Sequence, residues 1–218
     1  MPNWCSTTYG IVKQDNSPEA VAQLLKFKLM TNDAISDSPT SFKSAESSWG
    51  SSWLGNIYLA AGYTEKDIAD DKGWIACRGE ICSVDINDDN VILVCSTAWN
   101  PMDASMDRML SEKFPKLKLL WIAEEPGCEI YEKYDPDGIL FHDHIILETD
   151  SYTEYYGEGS AEAERFLKDI KDLSDLEFVN IDDAIAHADE IREAAAKKDG
   201  IDLEKEDYYL SIHEFIEM

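Results

Sequence analysis

Residues 91–134 leave this chain the least freedom of fold, because a strand, a helix, a second strand, a turn and a third strand follow one another without slack. Val91, Ile92, Leu93, Val94 and Cys95 make a short apolar, largely β-branched run that suits a buried strand. Asn100 and Pro101 then predict a helix cap and a first-turn proline. Met102, Met106, Met109 and Leu110 recur at helical spacing, and Phe114 with Pro115 predicts the stop. Residues 117–123 return as an apolar run, Pro126 and Gly127 predict a tight turn, and residues 128–134 predict one more strand.

The same patterns extend in both directions. Residues 5–13 read as a strand, and Ser17 with Pro18 opens a helix that carries Val21, Leu24 and Leu25 and ends near Met30. Composition then shifts to Ser, Thr, Asp and Pro over residues 31–53. An insertion is expected at about 31–73, with a short helix at 53–63 placing Leu54, Ile57, Tyr58 and Ala61 inward. Residues 74–86 and 90–97 read as strands joined by an Asn-Asp-Asp-Asn turn. Beyond residue 134, a further strand at 139–148 precedes two helices. Ser160 is the expected cap of the first, and Asn180 or Asp182 starts the second, with Ile185, Ala188, Ile191 and Ala195 on one face and Gly200 past its end.

The implied order is the split β-α-β pattern of an α+β, ferredoxin-like sandwich, an antiparallel sheet with two helices on one face. Residues 1–150 are expected to form that domain, including its Trp- and Ser-rich insertion, and residues 151–218 an acidic, mainly helical extension. At 218 residues and 44% hydrophobic content the chain can bury a core of that size.

Charge narrows the function. There are 45 acidic against 19 basic residues, a formal net charge of −26. The imbalance is uneven: residues 1–134 carry 20 and 12, whereas residues 135–218 carry 25 and 7, a net −18. Such a field repels nucleic acid and anionic membranes and attracts basic proteins. Direct nucleic-acid and membrane partners are therefore not expected. The Met1, Pro2, Asn3, Trp4 start lacks a basic segment and an apolar one, which argues against a signal peptide and for a cytoplasmic protein. Cys5, Cys77, Cys82, Cys95 and Cys128 are odd in number and widely spaced, as reduced thiols are.

Three groups of residues stand out: the Met-Pro-Asn-Trp-Cys-Ser start, the Trp49-Gly50-Ser51-Ser52-Trp53 element, and Thr97-Ala98-Trp99-Asn100-Pro101 followed by Phe114-Pro115 and Glu125-Pro126-Gly127. Together they resemble the YubB-like family of ferredoxin-fold proteins of plasmids, phages and bacterial genomes. The resemblance covers roughly the first 135 residues. It implies a fold and a mobile-element setting, with no reaction attached. Where the family usually places a lysine before the second tryptophan and an aspartate after it, this chain has Ser52 and Leu54.

Four constellations bear on chemistry. His142 and His144 alternate on a predicted strand and are the candidate metal ligands. Glu124, Glu125, Glu129 and Glu132 flank a hairpin as an acidic rim. Trp49, Trp53 and Trp99 are the candidate walls of a ligand pocket. Glu154, Glu158, Glu162, Asp169, Asp172, Asp182, Asp183, Asp189 and Glu190 make up the expected acidic interaction surface. Motifs of phosphate-binding loops, serine hydrolases and zinc proteases are absent, and no cofactor is implied.

The leading expectation is a non-catalytic protein that binds a basic, nucleic-acid-binding protein through its acidic surface, in the manner of a DNA mimic. The competing one is a small-molecule-binding or metal-dependent hydrolytic domain with its pocket beside the Trp-rich insertion.

Overall fold

Nine residues of the first strand are paired on one side and eight on the other, and the rest of the first unit is laid out from that strand. The computed structural model describes residues 3–35, 50–69 and 75–218. In chain order the first elements are β1 (Trp4–Lys13), α1 (Pro18–Ile35), α2 (Gly55–Ala60), α3 (Glu65–Ala69), β2 (Gly79–Ile86), β3 (Asn90–Ala98), α4 (Asp103–Lys113), β4 (Leu117–Glu125) and β5 (Ile130–Tyr134). Within this unit the strands run β2-β3-β1-β4-β5, every neighbour antiparallel. The class is α+β.

Register divides the side chains. Tyr9 lies opposite Leu93 and Trp121, so Cys5, Thr7, Tyr9 and Ile11 share a face with Val91, Leu93, Cys95, Leu117, Leu119 and Ala123. These residues are buried, and all but Thr7 pack in one cluster with Leu24, Phe27 and Met30 of α1 and with Met106, Met109 and Leu110 of α4. The rings of Phe27 and Phe114 meet edge to face at 5.3 Å. Burying each such side chain contributes about 1.5–3 kcal/mol.

Local chemistry moves several expected boundaries. In α1, Ser17 Oγ accepts from Ala20 N–H at 3.2 Å and Pro18 is the first helical residue, as expected, but the helix continues to Ile35. Its inward stripe is Leu24, Phe27 and Met30, while Val21 and Leu25 are exposed. Asn100 does not cap α4. Trp99 is left-handed at φ 75°, the Thr97 hydroxyl donates to the Asn100 carbonyl at 2.8 Å, and the Tyr9 hydroxyl accepts the Met102 N–H at 2.9 Å. The first helical residue is therefore Asp103.

The C-terminal region departs furthest from expectation. The chain divides at residues 136/137, and the second unit, residues 137–217, has a sheet of its own. Its elements are β6 (Asp143–Thr149), β7 (Thr153–Gly157), α5 (Ser160–Ser174), α6 (Ile181–Ala186), α7 (Ala188–Lys198), β8 (Leu210–Glu214) and the two-residue β9 (Ile216–Glu217). The sheet runs β7-β6-β8, antiparallel throughout. Residues 137–150, expected with the first domain, fall in this unit because Ile145 and Leu147 of β6 close over Tyr156, Phe166, Ile170, Ile191, Ala195 and Ile212. The unit is a small α+β fold, in which residues 151–218, expected to be mainly helical, carry α5, α6 and α7 and add the strands β7 and β8 to β6.

Its helix ends are set by identifiable bonds. Asn180 Oδ1 accepts from Asp183 N–H at 2.8 Å, a genuine cap. Ser160 is the first residue of α5 and makes no such bond, so the position before it belongs to Gly159, at φ 106°. The single helix expected after Asn180 is broken at His187, whose N–H turns back to Ala184. Gly200, left-handed at φ 77°, closes α7 with its N–H on the Lys197 carbonyl at 3.2 Å. Among the described residues no helix is long and apolar enough to cross a membrane.

Tyr9→Phe removes the acceptor for a buried N–H at the entry to α4. It is expected to lower stability by about 1–2 kcal/mol in urea unfolding, against no change if that contact contributes nothing. Phe166→Ala is expected to cost about 3–5 kcal/mol in the unfolding of the second unit.

Candidate functional site

A cleft of 540 Å³ opens in the first unit, lined by Trp4, Trp53, Ile68 and residues 75–80. Register explains how these side chains meet. Trp53 forms an antiparallel bridge with Glu80, which pairs with Ser96, which pairs with Ser6. One step along the strands, Trp4 pairs with Ala98, whose N–H donates to the Arg78 carbonyl at 2.9 Å. Paired residues share a face, so Trp4, Arg78 and Glu80 leave the side of the sheet opposite Cys5 and Tyr9, while Trp53, bridged to Glu80, is partly buried and also packs against the core cluster. Trp4, Arg78 and Glu80 are exposed. Arg78 and Glu80 make no ion pair among the described residues.

Two glycines make this corner possible. A methyl on Gly55 would lie 2.3 Å from Trp53 ring atoms, so the indole rests flat on the first turn of α2. A methyl on Gly79 would lie 2.6 Å from the Ser96 carbonyl, so only glycine lets β2 press this closely on β3. The segment bearing Trp53 is tied down on both sides. Leu54 N–H donates to the Gly79 carbonyl at 3.0 Å and Ile81 N–H to the Ser52 carbonyl at 2.7 Å. The buried Asn56 amide donates to the Gly50 and Ser51 carbonyls at 2.9 and 3.0 Å.

The thiols near this corner are not nucleophiles at neutral pH. Burial pushes Cys77, in the cleft wall, up to about 11 and Cys95 up to about 12, and it raises Cys5 as well. Each is a protonated, apolar side chain there. Cys82 and Cys128 are exposed, and all five are free.

Of the expected pocket residues, Trp53 lines the cleft, Trp99 does not, and Trp49 lies outside the described residues. Trp99 is 49% exposed. Sequence reasoning missed Trp4, Arg78 and Glu80. Their signal was parity: Trp4 is one residue out of phase with Cys5 and Thr7, which alternate inward.

His142 and His144 do not share a regular strand face. His142 is exposed ahead of β6, and the β6–β7 register shifts between Asp143 and Ile145, where His144 stands. His144 Nε2 lies 3.3 Å from Glu214 Oε1. Among the described residues no group of three or more His, Cys, Asp and Glu side chains is placed to hold a metal ion. The Glu124, Glu125, Glu129 and Glu132 hairpin is likewise not a uniform rim. Glu125 is buried, with Oε2 lacking a hydrogen-bond partner among the described residues, while Glu129 is left-handed at φ 56°.

The second unit holds the acidic surface. Its residues 137–217 include 24 acidic and 7 basic side chains, a net −17. Six of the seven cations are already held by carboxylates of the same unit. Arg165 pairs with Glu154 and Glu162, Lys168 with Asp172, Lys171 with Glu177, Arg192 with Asp189, Lys198 with Asp175 and Lys205 with Asp202. Asp169 accepts from the Tyr156 hydroxyl at 2.9 Å, and Asp183 accepts from Val179 N–H at 3.2 Å. Glu158, Asp182, Asp189 and Glu190 are exposed. The expected residues thus include some that brace the unit and some that face solvent, and Glu154, Asp172 and Asp189 do both.

Comparison with family models, with curated proteins and with solved structures returns no match.

His187 is the group whose titration reports on this surface. Its Nδ1 lies 2.7 Å from the Asp183 carbonyl, and that bond, with the charges of Glu190 and Asp183, raises it above its ordinary value near 6.5. A histidine raised on folding adds stability that is complete below the unfolded value and lost as pH climbs through the folded one. Unfolding midpoints are therefore expected to fall as pH rises from below 6.5 to above it, and His187→Gln is expected to remove that contribution. A midpoint that rises with pH through His187 contradicts the assignment.

Proposed function

We propose that this protein is a non-catalytic interaction protein whose second unit docks on a basic, nucleic-acid-binding protein. The observation that carries the reading is the net −17 on a unit with its own core, whose cations are nearly all consumed by internal pairs. A field of that sign, carried by folded helices, acts at a distance on lysine- and arginine-lined surfaces and speeds encounter with them. Those surfaces are built to take evenly spaced phosphates. Carboxylates held on α5, α6 and α7 occupy them as a DNA mimic does, and the same field turns nucleic acid itself away.

The first unit belongs to the same proposal as a ferredoxin-like split β-α-β sandwich. Strand order β2-β3-β1-β4, antiparallel pairing throughout, and the packing of α1 and α4 against one face support it. That is the fold implied by the YubB-like resemblance, and with it comes a mobile-element setting in the bacterial cytoplasm. On such an element, a protein that occupies the DNA-binding surface of a host protein has a ready target.

Competition tests this. The immobilised chain, offered a bacterial lysate at low salt, is expected to retain basic proteins that duplex DNA displaces and high salt releases. Against one retained protein, neutralising Asp182, Asp189 and Glu190 together as Asp182→Asn, Asp189→Asn and Glu190→Gln is expected to weaken affinity about fivefold or more and to reduce its salt dependence. Retained proteins that DNA does not displace, or an unchanged affinity in the triple variant, overturn the reading.

A further inference from the structure

We propose that the cleft between Trp4 and Trp53 binds a planar heteroaromatic small molecule of nucleoside size, its faces against the indoles and its edges on Arg78 and Glu80. The inference is independent of the acidic surface, since every lining residue lies in the first unit.

Four observations carry it. The volume, 540 Å³, is that of a site for a small organic molecule and too large for a packing defect. The two indoles approach it from different segments, Trp4 from β1 and Trp53 from the stretch just ahead of α2. Trp53 stands beside Glu80 and Trp4 beside Ala98, with strand spacings of about 4.8 Å between successive neighbours. Trp4, exposed on β1, is a stacking surface that loses little side-chain freedom when covered.

Between the indoles stand a cation and an anion, Arg78 just ahead of β2 and Glu80 on it. Arg78 and Glu80 are two residues apart on the same face, both exposed, and not engaged with each other. A guanidinium offers a planar fork of donors and a carboxylate accepts two, so the pair suits a ring with an acceptor edge and a donor edge. Purines of the guanine type present both: acceptors at O6 and N7, donors at N1 and the 2-amino group. Opposite charges side by side also leave the cleft near neutrality, which favours an uncharged nucleoside over a nucleotide in a chain this acidic.

The fourth observation is preorganisation. Gly55 lets the Trp53 ring lie on α2, and the Asn56 amide holds the Gly50 and Ser51 carbonyls of the segment that carries it. A side chain fixed by its own support before the ligand arrives has its ordering cost already met.

Tryptophan fluorescence and calorimetric titration of the full chain with guanosine, and with adenosine as the comparison, test the proposal. Guanosine is expected to quench saturably and to bind at least about fivefold more tightly than adenosine. Trp53→Ala and Trp4→Ala are each expected to weaken guanosine about tenfold. Arg78→Ala and Glu80→Gln lie on the surface, leave the core intact, and are expected to erase the preference over adenosine. Gly55→Ala keeps a normal helical backbone yet places a methyl where the indole lies. It is expected to reduce affinity while the chain stays folded by circular dichroism. Trp99→Ala, outside the cleft, is expected to change nothing. No saturable binding of either nucleoside overturns the proposal, and so does binding that Trp4, Trp53, Arg78 and Glu80 variants leave unaltered.

Discussion

The central strand β1 is the constraint on which the first unit depends. It is hydrogen-bonded to β3 on one side and β4 on the other, so its register fixes two neighbours at once. A slip of one residue would send Cys5, Thr7, Tyr9 and Ile11 to the opposite face and bring Trp4, Ser6 and Thr8 under the helices. Burying three polar or oversized groups in place of that row is costly enough to exclude the slip. The tyrosine adds a second lock, because its hydroxyl takes the Met102 N–H and so ties the strand to the entry of α4.

That same alternation explains how a structural strand also serves a candidate site. The inward parity builds the core, and the outward parity sets Trp4 in a row with Ala98 and Arg78. Beside it run Ser6, Ser96, Glu80 and Trp53. Nothing in the cleft requires a dedicated element. It follows from backbone bonds that hold residues 52–54 to the edge of β2 and from two glycines that allow close approach. The second unit solves a different problem, closing a small core while carrying a large net charge, and it does so by pairing its few cations internally.

How far the sequence could be read depends on the range of the interaction involved. The strands expected at 90–97 and 117–123, found at Asn90–Ala98 and Leu117–Glu125, are local signals, as are the Asn180 cap and the Gly200 stop. The start of α4 was misplaced because a hydroxyl 93 residues away competes for the Met102 N–H, and no local pattern records that. Residues 137–150 were placed with the wrong unit for the same reason, since the partners of β6 include a strand more than 60 residues downstream. The cleft was half legible. Trp53 stood out by its motif, but Trp4, Arg78 and Glu80 converge only through a three-strand register, and the paired histidines lost their common face to a bulge.

Native-state hydrogen exchange resolved by residue tests the central claim most directly. If β1 is the doubly paired strand that orders the unit, amides of residues 5–12 exchange most slowly of all those in the first unit, together with their partners in β3 and β4. Rapid exchange along β1, with protection confined to the helices, would contradict the account.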